Sequence, residues 1–132
     1  MAADARQLNA SLPGTLAHTV QKAVRDAAAR YITITLYGDH VRSDYGLWYA
    51  MNGFAFILPN MFLKDMQPGV DVAVAKLNFV PPNETGGIRG VTANGKLFSA
   101  YMKQNGDLMI RTDDSGEVHV NFFTTFPGKF AE

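Results

Sequence analysis

The sequence predicts a mostly β protein, an antiparallel β-sandwich or small β-barrel of about seven strands, preceded by one N-terminal helix. Three observations carry this. From Tyr31 onward, short stretches rich in β-branched and aromatic residues alternate with polar ones, the period of a half-buried strand. Asn52-Gly53, Asn94-Gly95 and Asn105-Gly106 stand between such stretches, where tight hairpin turns need positive φ. Ahead of Tyr31 the period is helical: Leu16 to Arg30 has no Gly or Pro and includes five alanines.

Met1 to Ala10 reads as a polar arm. Ser11 or Thr15 suits a helix cap, and Pro13 fits only a first turn. Leu16, Val20, Ala23 and Ala27 then recur at spacings of four, three and four, a single narrow apolar stripe. Two readings stand. The helix packs on its own β-domain, or it is a short coiled-coil neck joining identical chains, with those four residues at the seam. A seam of two heptads with alanine at half its positions is too weak to assemble alone, so in the neck reading the β-domains supply most of the association energy. The chain thus divides into an arm and helix over 1–30 and a head domain over 31–132.

Tyr31 to Tyr37 alternates as a strand, and Gly38 to Asp44 reads as a polar loop. Leu47 to Met51 and Phe54 to Leu58 form a hairpin about Asn52-Gly53. Pairing outward from the turn sets Met51 opposite Phe54, Tyr49 opposite Phe56 and Leu47 opposite Leu58 on one face. Trp48 with Ile57 and Ala50 with Ala55 share the other. Both faces are apolar, so both need cover. Pro59 to Gly69 reads as irregular and Val70 to Leu77 as a strand. A meander follows: Ile88 to Ala93, Lys96 to Met102, Asp107 to Thr112, then Asp113 to Gly116 as a turn into Glu117 to Phe126.

Composition narrows the function. The 132 residues contain no cysteine, which excludes a disulfide scaffold and a Cys-based metal site. Twelve basic and twelve acidic residues give zero net charge, and no basic stripe marks a nucleic-acid binder. The first twenty residues have no apolar run of signal-peptide length, and no stretch is long enough for a transmembrane span. Charged residues are 18% against 47% apolar, which points to apolar surface covered by another copy.

The search for chemistry is largely negative. No metal-ligand spacing, nucleophile elbow or phosphate loop occurs, and neither metal nor cofactor is implied. Asp39, Asp44, Asp113, Asp114 and Glu117 are the only clustered carboxylates a small hydrolase could use. Asp39, His40, Arg42, Asp44 and Tyr45, in a polar loop just before Trp48, supply the polar groups and aromatic face that carbohydrate recognition needs. The plainer reading makes Asp39 and Asp44 turn formers and Trp48 core. Arg89 and Arg111 both fall opposite Ala100 on adjacent strands, forming an anion or sugar site or an ordinary solvated pair. His119 points opposite Val118 and Val120, as a ligand group or a satisfied surface histidine.

Three further segments occur in a recognisable order. Phe54-Ala55-Phe56-Ile57-Leu58 precedes an irregular loop. Val72 to Leu77 runs into Phe79-Val80-Pro81-Pro82. Asn105-Gly106-Asp107-Leu108-Met109-Ile110 is an asparagine-glycine step into a strand. From about Tyr31 to Phe126 this order resembles the head domains of phage tail receptor-binding proteins, such as those of lactococcal siphophages. The resemblance implies a homotrimer with a helical neck, located at the tail tip of a virion beside other tail and baseplate proteins. It also implies non-enzymatic binding of a host cell-surface glycan. No binding residue of that family aligns onto Trp48, His119 or Arg111. The alternative is a structural baseplate or tail-fibre module that contacts proteins without binding glycan.

Overall fold

The computed structural model describes residues 16, 19–21, 23 and 28–131. Residues 16, 19–21 and 23 are helical. Fourteen strands follow: β1 (Arg30–Tyr31), β2 (Ile34–Leu36), β3 (Val41–Asp44), β4 (Leu47–Met51), β5 (Phe54–Leu58), β6 (Asn60–Met66) and β7 (Val72–Leu77), then β8 (Phe79–Val80), β9 (Ile88–Val91), β10 (Leu97–Met102), β11 (Asp107–Thr112), β12 (Gly116–Asn121), β13 (Thr124–Pro127) and β14 (Lys129–Phe130). All pairings are antiparallel. They build a hairpin sheet β1-β4-β5-β13, a meander sheet β2-β7-β11-β10-β9, a bulged sheet β12-β6-β3 and a small β14-β8 pair. The protein is therefore mostly β, as the alternation predicts, but the sheets do not close into a barrel.

The strand count exceeds seven because continuous runs are shared between sheets. Tyr31 to Tyr37 is not one strand. Tyr31 pairs with Tyr49 in the hairpin sheet, and Ile34 pairs with Leu77 in the meander sheet. Ile32 and Thr33 make the passage, their amides bonded to the Trp48 carbonyl and to Asn78 Oδ1. Glu117 to Phe126 divides in the same way between β12 and β13.

Two segments expected to be loops are strands. Val41–Asp44 is β3, and Asn60–Met66 within the expected irregular stretch is β6, the centre of the bulged sheet. The period of β6 is hidden twice. Phe62 is apolar yet faces outward, and the pairing shifts register between Gly116 and Val118, so Met66 points inward out of step with Leu63.

The Asn52-Gly53 hairpin forms in the expected register, and both turn residues take positive φ, 56° and 78°. Trp48, Ala50, Ala55 and Ile57 enter the core, so Leu47, Tyr49, Met51, Phe54, Phe56 and Leu58 face outward. One apolar cluster joins this inner face to Met61, Leu63, Val118 and Val120 of the bulged sheet and to Phe98, Ala100, Leu108 and Ile110 of the meander sheet. Among the described residues no buried side-chain polar atom lacks a hydrogen-bond partner.

The helical stripe is not covered by this core. Leu16 is 67% exposed, Val20 52%, and Ala23 is exposed too, so these residues do not pack on their own β-structure. Ala27 lies outside the described residues.

Ile57 is fully buried and Val70 is open to solvent. Ile57→Ala is expected to lower the unfolding free energy by about 2–5 kcal/mol. Val70→Ser should change it by less than about 0.5 kcal/mol. Urea titrations of both variants compare them directly.

Candidate functional site

Loop length decides where the two meander arginines meet. Two-residue turns at Asn94-Gly95 and Asn105-Gly106 would set both arginines opposite Ala100. In the structure only the glycine of each pair has positive φ, 80° at Gly95 and 97° at Gly106. Each loop holds one residue more: Thr92 bonds Lys96 across the first, and Lys103 bonds Asp107 across the second. Both registers shift by one, and Arg89 and Arg111 each pair with Ser99 rather than Ala100. Ala100 goes to the core, and the row Arg89–Ser99–Arg111 lies on the outward face.

A cleft of about 210 Å³ sits over this row, lined by Arg89, Leu97, Phe98, Ser99, Arg111 and Asp113. Gly90 lets β9 lie close beside it, since a Cβ there would meet the Phe98 ring at 2.6 Å. Arg111 is braced: its Nε lies 3.7 Å from Asp71, which also accepts the Tyr101 hydroxyl at 3.1 Å. Burial, and then that hydrogen bond, raise the Tyr101 pKa above its usual 10.0. Arg89 makes no ion pair among the described residues. The cleft offers two guanidinium forks, a hydroxyl and one carboxylate around a small floor. Paired donors beside an acceptor suit neighbouring hydroxyls, which both donate and accept.

The other expected site residues do not join it. Trp48 is core, only 5% exposed, and its indole N–H donates to Asp44 Oδ2 at 2.8 Å. Asp44 Oδ1 accepts the Asn60 amide at 3.0 Å, so this carboxylate ties β4 to β6. His40 Nδ1 lies 3.2 Å from the Lys64 carbonyl oxygen, and Arg42 pairs with Glu117 at the surface. His40, Arg42, Asp44 and Trp48 thus do not converge on the meander cleft, and each has a partner within the protein. Their polar groups are spent on neighbouring strands.

His119 belongs to a separate surface. Its Nε2 lies 2.6 Å from Asn60 Oδ1, and its ring stacks on Phe62 at 4.2 Å with the planes 2° apart. Tyr45 meets Phe62 edge-on. Sequence reading missed Phe62 because β6 was not recognised, and placed Tyr45 in the polar loop before Trp48 rather than against Phe62. It missed Ser99 and Tyr101 because the turns were taken one residue short, and Asp71 because it reaches Arg111 from a segment far away in the sequence.

Asp114, one of the clustered carboxylates, is buried in a turn. It accepts the Ser115 amide at 2.9 Å, the Thr92 hydroxyl at 3.0 Å and the Asn94 amide group at 3.1 Å. Chiefly the Ser115 bond, then the Asn94 bond, hold its pKa below the usual 3.8, against the opposing effect of burial. Among the described residues no group of acidic or histidine side chains is arranged to hold a metal ion, and no helix is long and apolar enough to cross a membrane. Two larger grooves, about 370 and 440 Å³, lie along Pro81-Pro82, the first also lined by Gly53 and both by Pro127. Comparison with protein-family models, with curated proteins and with solved structures finds no match to this chain.

Asp44→Ala strands a buried indole N–H and is expected to cost about 1–3 kcal/mol of stability, read by urea unfolding. Asp114 makes the stability depend on pH. The unfolded chain protonates this carboxyl near 3.8 and the folded chain only below that. Its stabilisation is thus present above 3.8 and lost as pH falls through the lower folded value. Thermal melts between pH 6 and 2 should show a shallower acid loss for Asp114→Asn than for the parent.

Proposed function

We propose that this chain is the head of a phage tail receptor-binding protein, attaching a virion to its host by holding cell-surface saccharide. The observation that carries the reading is the Arg89–Ser99–Arg111 row beneath its cleft, with Asp113 at the rim. Arginine forks beside a carboxylate recognise pairs of hydroxyls, and the exposed Leu97 side chain offers an apolar edge for a sugar ring. A shallow site of this size binds weakly. Useful attachment then comes from several copies engaging at once.

The carboxylates favour binding over hydrolysis. Asp44 is committed to Trp48 and Asn60, Asp114 to its own turn, and Glu117 to Arg42. Asp113 alone of the clustered set lines the cleft, whereas glycoside hydrolysis ordinarily uses a pair.

A second reading, a structural baseplate or tail-fibre module, is favoured by the outward apolar face of the hairpin sheet, which suits a protein partner.

A glycan array, followed by titration of the best saccharide, tests the first reading. Arg89→Ala and Arg111→Ala should each weaken binding roughly tenfold to a hundredfold, the loss expected for charge-assisted hydrogen bonds. Asp44→Ala, remote from the cleft, should leave affinity unchanged. A protein that binds no saccharide, or whose affinity survives both arginine substitutions, overturns the saccharide assignment in favour of the structural module.

A further inference from the structure

We propose that Asn52 is a site of spontaneous covalent modification: the Gly53 nitrogen closes on the Asn52 side-chain amide, and water opens the ring to aspartate and isoaspartate at the tip of the β4–β5 hairpin. By sequence, three Asn-Gly pairs are open to this chemistry. Glycine makes each of them so, because it adds no side chain to shield the attacking nitrogen. The fold separates the three.

Ring closure needs two freedoms. The asparagine side chain must swing over its own following peptide, and the glycine nitrogen must be unbonded. Asn94 has neither. Its Nδ2 donates to Asp114 Oδ2 at 3.1 Å, and the Gly95 N–H donates to the Thr92 carbonyl at 2.9 Å. Asn105 is held more firmly. Its Oδ1 accepts the Asp107 amide at 3.0 Å, and its Nδ2 donates to Asp107 Oδ2 at 3.1 Å. The Gly106 N–H donates to the Lys103 carbonyl at 3.0 Å. Gly106 is also packed against the end of β7, where a Cβ would meet the Leu77 carbonyl oxygen at 2.6 Å. At both sites the negative charge that builds on the reacting amide would lie beside a carboxylate, which opposes it.

Asn52 differs on every count. Asn52 and Gly53 are exposed, and the space around Gly53 is open. Among the described residues, neither the Asn52 side chain nor the Gly53 N–H makes a hydrogen bond. The reason is the turn type. A two-residue turn with both φ positive is closed by the flanking strand residues, Met51 and Phe54, and leaves the amides between them unused. The turn that sets the hairpin register thus leaves its own tip open to attack.

The step balances with water as the co-reactant. The Gly53 nitrogen gives its proton to solvent base and bonds to Asn52 Cγ. The Cγ–Nδ2 bond breaks, and Nδ2 takes up a proton and leaves as ammonia. Water then splits one of the two C–N bonds of the cyclic imide. Opening at Cγ leaves aspartate, which the turn accepts as readily as asparagine. Opening at the backbone carbonyl leaves isoaspartate and routes the chain through the side chain, one carbon longer. That carbon disturbs the pairing of Met51 with Phe54 and the 3.0 Å bond from the Gly128 N–H to the Gly53 carbonyl.

This inference does not rest on saccharide binding. The intact chain is held folded in mildly alkaline buffer at body temperature and sampled over time. Peptide mapping by mass spectrometry follows each site, and enzymatic methylation counts isoaspartate. Asn52 should convert at least about tenfold faster than Asn94 or Asn105, the protection expected where several hydrogen bonds must open first. The same incubation in urea should erase that difference. Asn52→Asp should melt at the parent's temperature, whereas protein enriched in isoaspartate should melt lower. Three results overturn the proposal: Asn94 or Asn105 converting as fast as Asn52 in the folded protein, a folded Asn52 that stays intact while the unfolded chain converts, or a difference that persists in urea.

Discussion

A strand buries one face against a core and leaves the other to whatever lies outside, yet the Leu47–Leu58 hairpin is apolar on both. Its turn fixes which residues share a face, and packing against the other sheets settles which face goes in. With Asn52 and Gly53 both at positive φ, Trp48 and Ile57 share a face with the small Ala50 and Ala55, and that face is the buried one. Those alanines keep the inner layer thin at one end while Trp48 fills it at the other. The bulged and meander sheets pack on this surface, and the cluster they share supplies most of the apolar burial. The outward residues are the consequence. A one-residue slip would exchange the two faces and leave Trp48 in water.

The polar residues answer to the same geometry. Asp44 accepts from the Trp48 indole and the Asn60 amide, so the carboxylate that looked available for a ligand instead holds the largest core side chain against β6. Asp114 closes the turn into β12 by taking three donors. Both are low-cost ways to satisfy groups that must sit near the core. What stays open to a ligand is what the strands place outward, and the Arg89–Ser99–Arg111 row, with Arg111 braced by Asp71, is the clearest case.

That row shows how far turn chemistry reaches. Three Asn-Gly pairs look alike in the sequence, but they build two kinds of turn. At Asn52-Gly53 both residues adopt positive φ. At the other two pairs only glycine does, at the end of a loop one residue longer. The extra residue in each loop moves both arginines to the same new partner. The pairing of two arginines about one small residue therefore survives the error, with Ser99 in place of Ala100.

The sequence by itself determined the β class, the hairpin register about Asn52-Gly53, the apolar character of both hairpin faces and the meander order of β9, β10 and β11. These are local: they follow from a two-residue period and from turns that only certain residues permit. Only the tertiary structure decided the rest. It decided which hairpin face is buried, where the Tyr31 run breaks between sheets, that Asn60–Met66 is a strand despite its outward Phe62 and its bulge, and that the helical stripe stays uncovered at Leu16 and Val20. Each depends on what lies across a sheet or behind it. That is a relation between residues far apart in the chain, and no local period records it.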